Sequence, residues 1–192
     1  MNATDWVACT DPMRMLLSLA GRARERELRL FNAACCRRIG NTLSGGSRHA
    51  IGLIERFVDG EVGAEKAIAA WHTEIAAFAA WNPSVANIAF VAANAARVAT
   101  DPTAERLAQC ALLRDLFDPL YWPRTIDPLW RTPLVLSMGR SIYDEHSFGD
   151  LPILADALEE AGCENADLLS HLRGRGPHAR GCWALALVLG RE

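Results

Sequence analysis

The sequence predicts an all-α protein, a compact multi-helix bundle of about nine or ten short helices. Three observations carry that prediction. Apolar residues recur at helical spacing along most of the chain. Proline starts and glycine stops punctuate those stretches. No stretch shows the strict alternation of a half-buried strand or a hairpin signal.

Each element follows from local signals. Asp11-Pro12 places a capping carboxylate before a proline at the first helical position, and Met13, Leu16, Leu17 and Ala20 form an apolar stripe ending at Gly21. A second helix spans about 25–39, with Leu28, Phe31, Cys35 and Ile39 on one face and its arginines mostly off it. Ser47 opens a third, with Ile51, Ile54, Phe57 and Val58 buried. A fourth over 63–81 buries Ala67, Ile68, Trp71, Ile75 and Phe78, before Asn82-Pro83 breaks it. The segment 84–99 is apolar nearly all round, which predicts a central, buried helix. Asp101-Pro102 starts the next, through Leu107, Cys110, Leu113 and Phe117.

Residues 118–133 hold four prolines and two tryptophans and read as an ordered Pro/Trp-rich connector, in which Tyr121, Trp122, Ile126, Leu129 and Trp130 require burial. Beyond it, helices are expected over 134–145, 151–161, 165–172 and 178–189, the last with a strand as the alternative because its apolar run is short. The chain of 192 residues thus reads as a single domain, with possible subdomains 1–117 (bundle) and 134–192 (a small C-terminal helical cap).

Composition narrows the setting. At 51% hydrophobic, a domain of this size folds without disulfides. The net charge of −3 argues against a strong overall field for nucleic acid. Lys66 is the one Lys among twenty basic residues, a bias that fits GC-rich coding. No signal peptide or 18-residue apolar span is present. Adjacent Cys35 and Cys36 and the mid-helix Cys110 do not read as a secreted disulfide framework, so reduced thiols and a cytoplasmic location are expected.

Several stretches carry a resemblance: DWVACTDPMRML, RELRLFNAACCRRI, LLRDLFDP with its connector, and the long C-terminal block from SIYDEHSFGDLPILADALEEAGC to GPHARGCWALALVLGRE. The chain resembles an uncharacterised bacterial, planctomycete-type protein family over most of its length outside about 62–100. The resemblance implies a bacterial cytosolic setting and no particular chemistry. Members of that family often carry Cys after the histidine matching His171. Leu172 stands there in this chain, so a cysteine at that place is not an indispensable ligand.

Five constellations are candidates for chemistry. Cys163, His171, His178 and Cys182 offer four S and N ligands of the kind zinc takes in a tetrahedral structural site, with His178 and Cys182 sharing a helix face. Against this, both cysteines suit a core, with the histidines bonded to carbonyls or carboxylates. The loop RGRGPHARG, with Arg173, Arg175 and Arg180, suits a phosphate or carboxylate, unless the arginines pair with Glu159, Glu160 or Asp167. Asp144, Glu145, His146 and Asp150 suit acid–base work or a divalent ion, although Asp150 also suits a helix cap. The arginine-rich helix 22–38 reads as a solvated, ion-paired face before it reads as a nucleic-acid surface. Cys35-Cys36 lacks redox spacing.

No catalytic motif is present, so the leading expectation is a non-enzymatic interaction or adaptor module that contacts another protein through Trp122 and Trp130. Metal binding, with Zn as the possible cofactor, and anion or nucleic-acid binding by the Arg-Gly loop are the alternatives.

Overall fold

The computed structural model describes residues 1–73, 84–118 and 125–191. The architecture is all-α. Eleven α-helices occur among the described residues: α1 Ala3–Ala8, α2 Pro12–Ser18, α3 Glu25–Arg38, α4 Gly45–Val58, α5 Ala64–Thr73, α6 Val85–Val98, α7 Pro102–Phe117, α8 Pro133–Glu145, α9 Leu151–Glu160, α10 Ala166–Arg173 and α11 Trp183–Leu189. Single 3-10 turns lie at Gly40–Thr42, Pro128–Trp130 and Phe148–Asp150. No strand occurs among the described residues, and no helix there is long and apolar enough to cross a membrane.

The helix starts follow their local signals. Asp11 and Asp101 accept from backbone N–H groups of the first turn ahead of prolines, and Asn165 accepts from Leu168 N. Ser44 caps α4, three residues ahead of the expected Ser47. The short α1 was not foreseen. It is held by Trp6, which is fully buried and donates its indole N–H to Asp118 at 2.9 Å.

Helix α3 packs against α4, α6 and α7, and α2 packs on α6 and α7. Their buried faces form a first core around Trp6, Leu16, Phe31, Ile51, Leu113 and Phe117. A second core around Val135, Tyr143, Leu154, Leu172, Trp183 and Leu185 joins α8 to α11. Helix α11 touches both α8 and α7. Ala179, in the loop ahead of α11, is buried in the first core, whereas Cys182 belongs to the second. That loop therefore links the two.

Several expectations are corrected by packing. On α2 the buried face is Pro12, Met15, Leu16 and Leu19, while Leu17 is 62% exposed and Met13 is also exposed. Helix α6 is amphipathic rather than enclosed, since Phe90 and Val98 are exposed opposite a face of small alanines. In the connector, Ile126 and Trp130 pack partly against the second core, but Leu129 is 80% exposed. Tyr121 and Trp122 lie outside the described residues, as do Ile75, Phe78 and the side chain of Trp71. The expected helix 178–189 begins only at Trp183.

The backbone of 174–182 forms a loop instead, with a cis peptide at Gly176–Pro177 and Gly181 at φ +97°. A Cβ on Gly181 would sit 2.6 Å from Leu30 Cδ1 of α3 and 2.9 Å from Leu116 Cδ2 of α7. Gly181 thus lets the loop press against two helices of the first core in a conformation that L-residues avoid. Substitution Gly181→Ala is expected to destabilise by about 2–4 kcal/mol, combining left-handed strain with overpacking. A urea midpoint shift at unchanged slope measures it.

Candidate metal centre

Asp115 stands in the last turn of α7, where the helix dipole disfavours a carboxylate. Its neighbours Leu112, Leu113, Leu116 and Phe117 are all buried, and its own side chain is 2% exposed. Such a group needs donors. His171 comes from the last turn of α10, His178 from the loop, and Cys182 from the N-cap of α11. One ligand atom from each of Asp115, His171, His178 and Cys182 lies within 4.8 Å of the others.

Hydrogen-bond geometry assigns the protons of this cluster. Trp183 Nε1, a donor only, lies 3.1 Å from His171 Nδ1, which must accept. His171 Nε2 therefore carries its hydrogen and donates to Asp115 Oδ1 at 3.0 Å. His178 has acceptors on both nitrogens, Asp115 Oδ1 at 2.8 Å from Nδ1 and Gly174 O at 3.2 Å from Nε2. It is an imidazolium. The other Asp115 oxygen accepts Ala179 N–H at 3.0 Å.

The charges follow this pattern. Burial alone pushes the Asp115 carboxyl up, but hydrogen bonds from His171 and His178 more than reverse it, and its pKa lies below the ordinary value. Burial alone would lower His178, yet the bond to Asp115 and its charge raise it above the usual imidazole value. Burial, reinforced by Asp115, pushes the Cys182 thiol well up. A neutral, fully buried thiol does not serve as a nucleophile.

A tetrahedral zinc site needs neighbouring ligand atoms roughly 3.3–3.8 Å apart, from zinc–ligand distances near 2.0 Å for N and O and 2.3 Å for S. Cys182 Sγ stands 3.3 Å from His171 Nε2 and 4.0 Å from His178 Nδ1. Asp115 Oδ1, at 3.0 Å from His171 Nε2 and 2.8 Å from His178 Nδ1, would have to move outward, and His178 and Cys182 would have to close by a few tenths of an ångström. The residues fit a borderline-soft divalent cation. His178 Nε2–H on Gly174 O is the outer-shell bond that orients a ligating imidazole. Trp183 is the misfit. With His171 ligating through Nε2, its Nδ1 carries the hydrogen and faces the indole N–H, so metal uptake requires Trp183 to turn.

The structure thus brings together His171, His178 and Cys182 but exchanges Cys163 for Asp115. Cys163 is buried in the second core just after α9 and does not join the group. His178 and Cys182 do not share a helix face. The loop brings them together. Asp115 has no ligand spacing to the histidines in sequence, since 56 residues separate it from His171. The one available signal was an acid among buried leucines at a helix C-terminus.

The other candidates separate. Arg173 pairs on the surface with Asp156 and Glu159, Arg175 is exposed, and Arg180 is buried on Asp59 and Glu61. These three form no common anion site. Asp150 makes no side-chain cap bond, and Glu145 accepts from Ser141. Asp144 and His146 line a cleft apart from both. On α3, Arg26, Arg29, Arg37 and Arg38 pair with Asp59, Glu25, Glu55 and Glu105. Cys35 and Cys36 are buried; burial holds Cys35 well above the usual thiol value and Cys36 at about 11. No protein-family model, curated protein or solved structure matches the chain.

Proposed function

We propose that this protein binds zinc in a structural centre formed by Asp115, His171, His178 and Cys182. The observation that carries the reading is the convergence of two imidazole nitrogens, one thiol and one carboxylate from α7, α10, the loop and α11. Two nitrogens and a sulfur suit zinc and exclude the oxygen-seeking calcium and magnesium. Four protein ligands leave no open position, which makes the role structural. Zinc would deprotonate the Cys182 thiol and replace the hydrogen bonds of Asp115 with coordination. It would fasten the loop and the second core to α7.

The interaction-module reading stands second. Its support is the exposed Leu129 beside Trp130.

Equilibration with zinc, followed by gel filtration and elemental analysis, is expected to return one zinc per chain. With cobalt, a thiolate-to-metal charge-transfer band is expected that Cys182→Ser removes. His178→Ala should weaken binding by ~100-fold or more. Acidification should release the metal, since every ligand binds deprotonated. Trp183→Phe should tighten binding by removing the opposed N–H. Absence of retained zinc, with a folded protein by circular dichroism, would falsify the proposal.

A further inference from the structure

Helix α4 presents Arg48, Gly52 and Arg56 at successive four-residue steps. One helix face therefore carries two guanidiniums with an empty place between them. This face walls a cavity of about 560 Å³, closed on the other side by Arg37 of α3, Asp144 and His146 at the end of α8, and Arg180. The size falls within the range of small-molecule sites. A second cavity of about 310 Å³ shares Arg37, Glu55, His146 and Arg180 with it.

The cations of this cleft differ in how they are neutralised. Arg37 grips Glu55 through two nitrogens, Nε at 2.6 Å. Arg180 lies 2.8 Å from Asp59 and 3.1 Å from Glu61, and Arg56 also reaches Glu61 at 3.1 Å. Arg48 instead donates to two backbone carbonyls, Gly40 O at 3.2 Å and Leu43 O at 2.8 Å. Among the described residues it has no carboxylate partner. It is a cation held in place without a counter-charge.

Two further features point at the same space. Glycine is the weakest helix former after proline, yet Gly52 sits mid-helix. A Cβ there would meet nothing closer than Arg37 Nη2 at 3.9 Å, so packing does not require the glycine. His146 takes the left-handed conformation that commonly closes a helix, as the C-cap of α8 with its N–H on Ile142 O, and this brings its side chain to where the two cavities meet.

We propose that this cleft binds a small polyhydroxylated phosphate, with Arg48, the cation that has no carboxylate partner, holding phosphate oxygens and the gap at Gly52 leaving room for the rest of the ligand. Guanidiniums match phosphate geometry in a way that ammonium groups do not. Glu61 and Asp144 at the rim accept hydroxyl groups. The lining holds Leu53 as its large apolar side chain and no Trp, Tyr or Phe, which disfavours a stacked nucleobase. The inference is independent of zinc.

Isothermal titration with ribose 5-phosphate, inorganic phosphate and ribose tests it at low salt. Saturable one-to-one binding of ribose 5-phosphate is expected, about tenfold or more tighter than phosphate, with none for ribose. Arg48→Ala should weaken it by about tenfold or more. Gly52→Leu should fill the gap and abolish it, with the helical circular dichroism spectrum retained. Should that variant misfold, Arg48→Ala carries the test. Lack of saturable binding overturns the proposal, as does equal affinity for inorganic phosphate, or affinity undiminished in both variants.

Discussion

Replacing Asp115 with alanine is expected to destabilise the metal-free protein by about 3–5 kcal/mol, the cost of leaving a buried ion pair half-made. The carboxylate takes hydrogen bonds from His171, His178 and the Ala179 amide, and its removal leaves the amide unpaired and His171 Nε2 with only the weakly accepting Cys182 sulfur at 3.3 Å. His178 suffers most. Its two donors now face one acceptor, Gly174 O, and its charge has lost its counter-ion. The imidazole side chain is only 8% exposed, so water cannot replace the partner without opening the loop. Urea denaturation in chelator measures the loss. A double-mutant cycle with His178→Ala should then show strong coupling, because deleting both partners removes the unpaired charge. A change under 1 kcal/mol, or additive effects, would mean that the loop is held by apolar burial alone.

Replacing Asp59 with alanine is expected to have a comparable effect, about 3–4 kcal/mol, at a second junction. Asp59 is the C-cap of α4, where the helix dipole again opposes a carboxylate. Groups from elsewhere compensate. Tyr143 donates its hydroxyl at 2.6 Å, Arg26 donates at 3.1 Å, and Arg180 approaches to 2.8 Å. Arg180 and Arg191 lie over the Tyr143 ring, at 4.7 Å and 4.2 Å from its centroid. Without Asp59, the 7%-exposed Arg180 keeps only Glu61 among the carboxylates described, and Tyr143 loses its acceptor. Because the Asp59 side chain is 2% exposed, the effect should persist in high salt, unlike that of a surface pair. Thermal and urea unfolding at two salt concentrations test this. Tyr143→Phe should cost about 1 kcal/mol, the value of one hydrogen bond.

The two carboxylates explain how the second core attaches to the first. Asp115 and Asp59 stand at the C-terminal ends of α7 and α4, and each receives donors from the C-terminal half. Both positions are locally unfavourable, since a helix end of that polarity repels an anion. They are tolerated because the partners arrive from far along the chain. The loop 174–182 serves both junctions, with His178 and Ala179 on Asp115 and Arg180 on Asp59.

Most helix starts and stops, and the all-α class seen in the described residues, were legible in the sequence, although α1 and the starts of α4 and α11 were not. A cap such as Asp11, Asp101 or Asn165 acts on N–H groups within its own first turn, so nothing distant can change its meaning. Which apolar residues become core was less legible. Met13 and Leu17 share a hydrophobic stretch with Leu16, and only the positions of α6 and α7 select the face that is buried. The candidate ligands divide in the same manner. His171, His178 and Cys182 lie close in sequence, but Asp115 enters from another helix, and Cys163 packs into an apolar core instead. Local chemistry thus determined the elements, because its forces act over one turn. The tertiary structure alone decided which distant charges meet, because a buried carboxylate is stable only where chain folding delivers its donors.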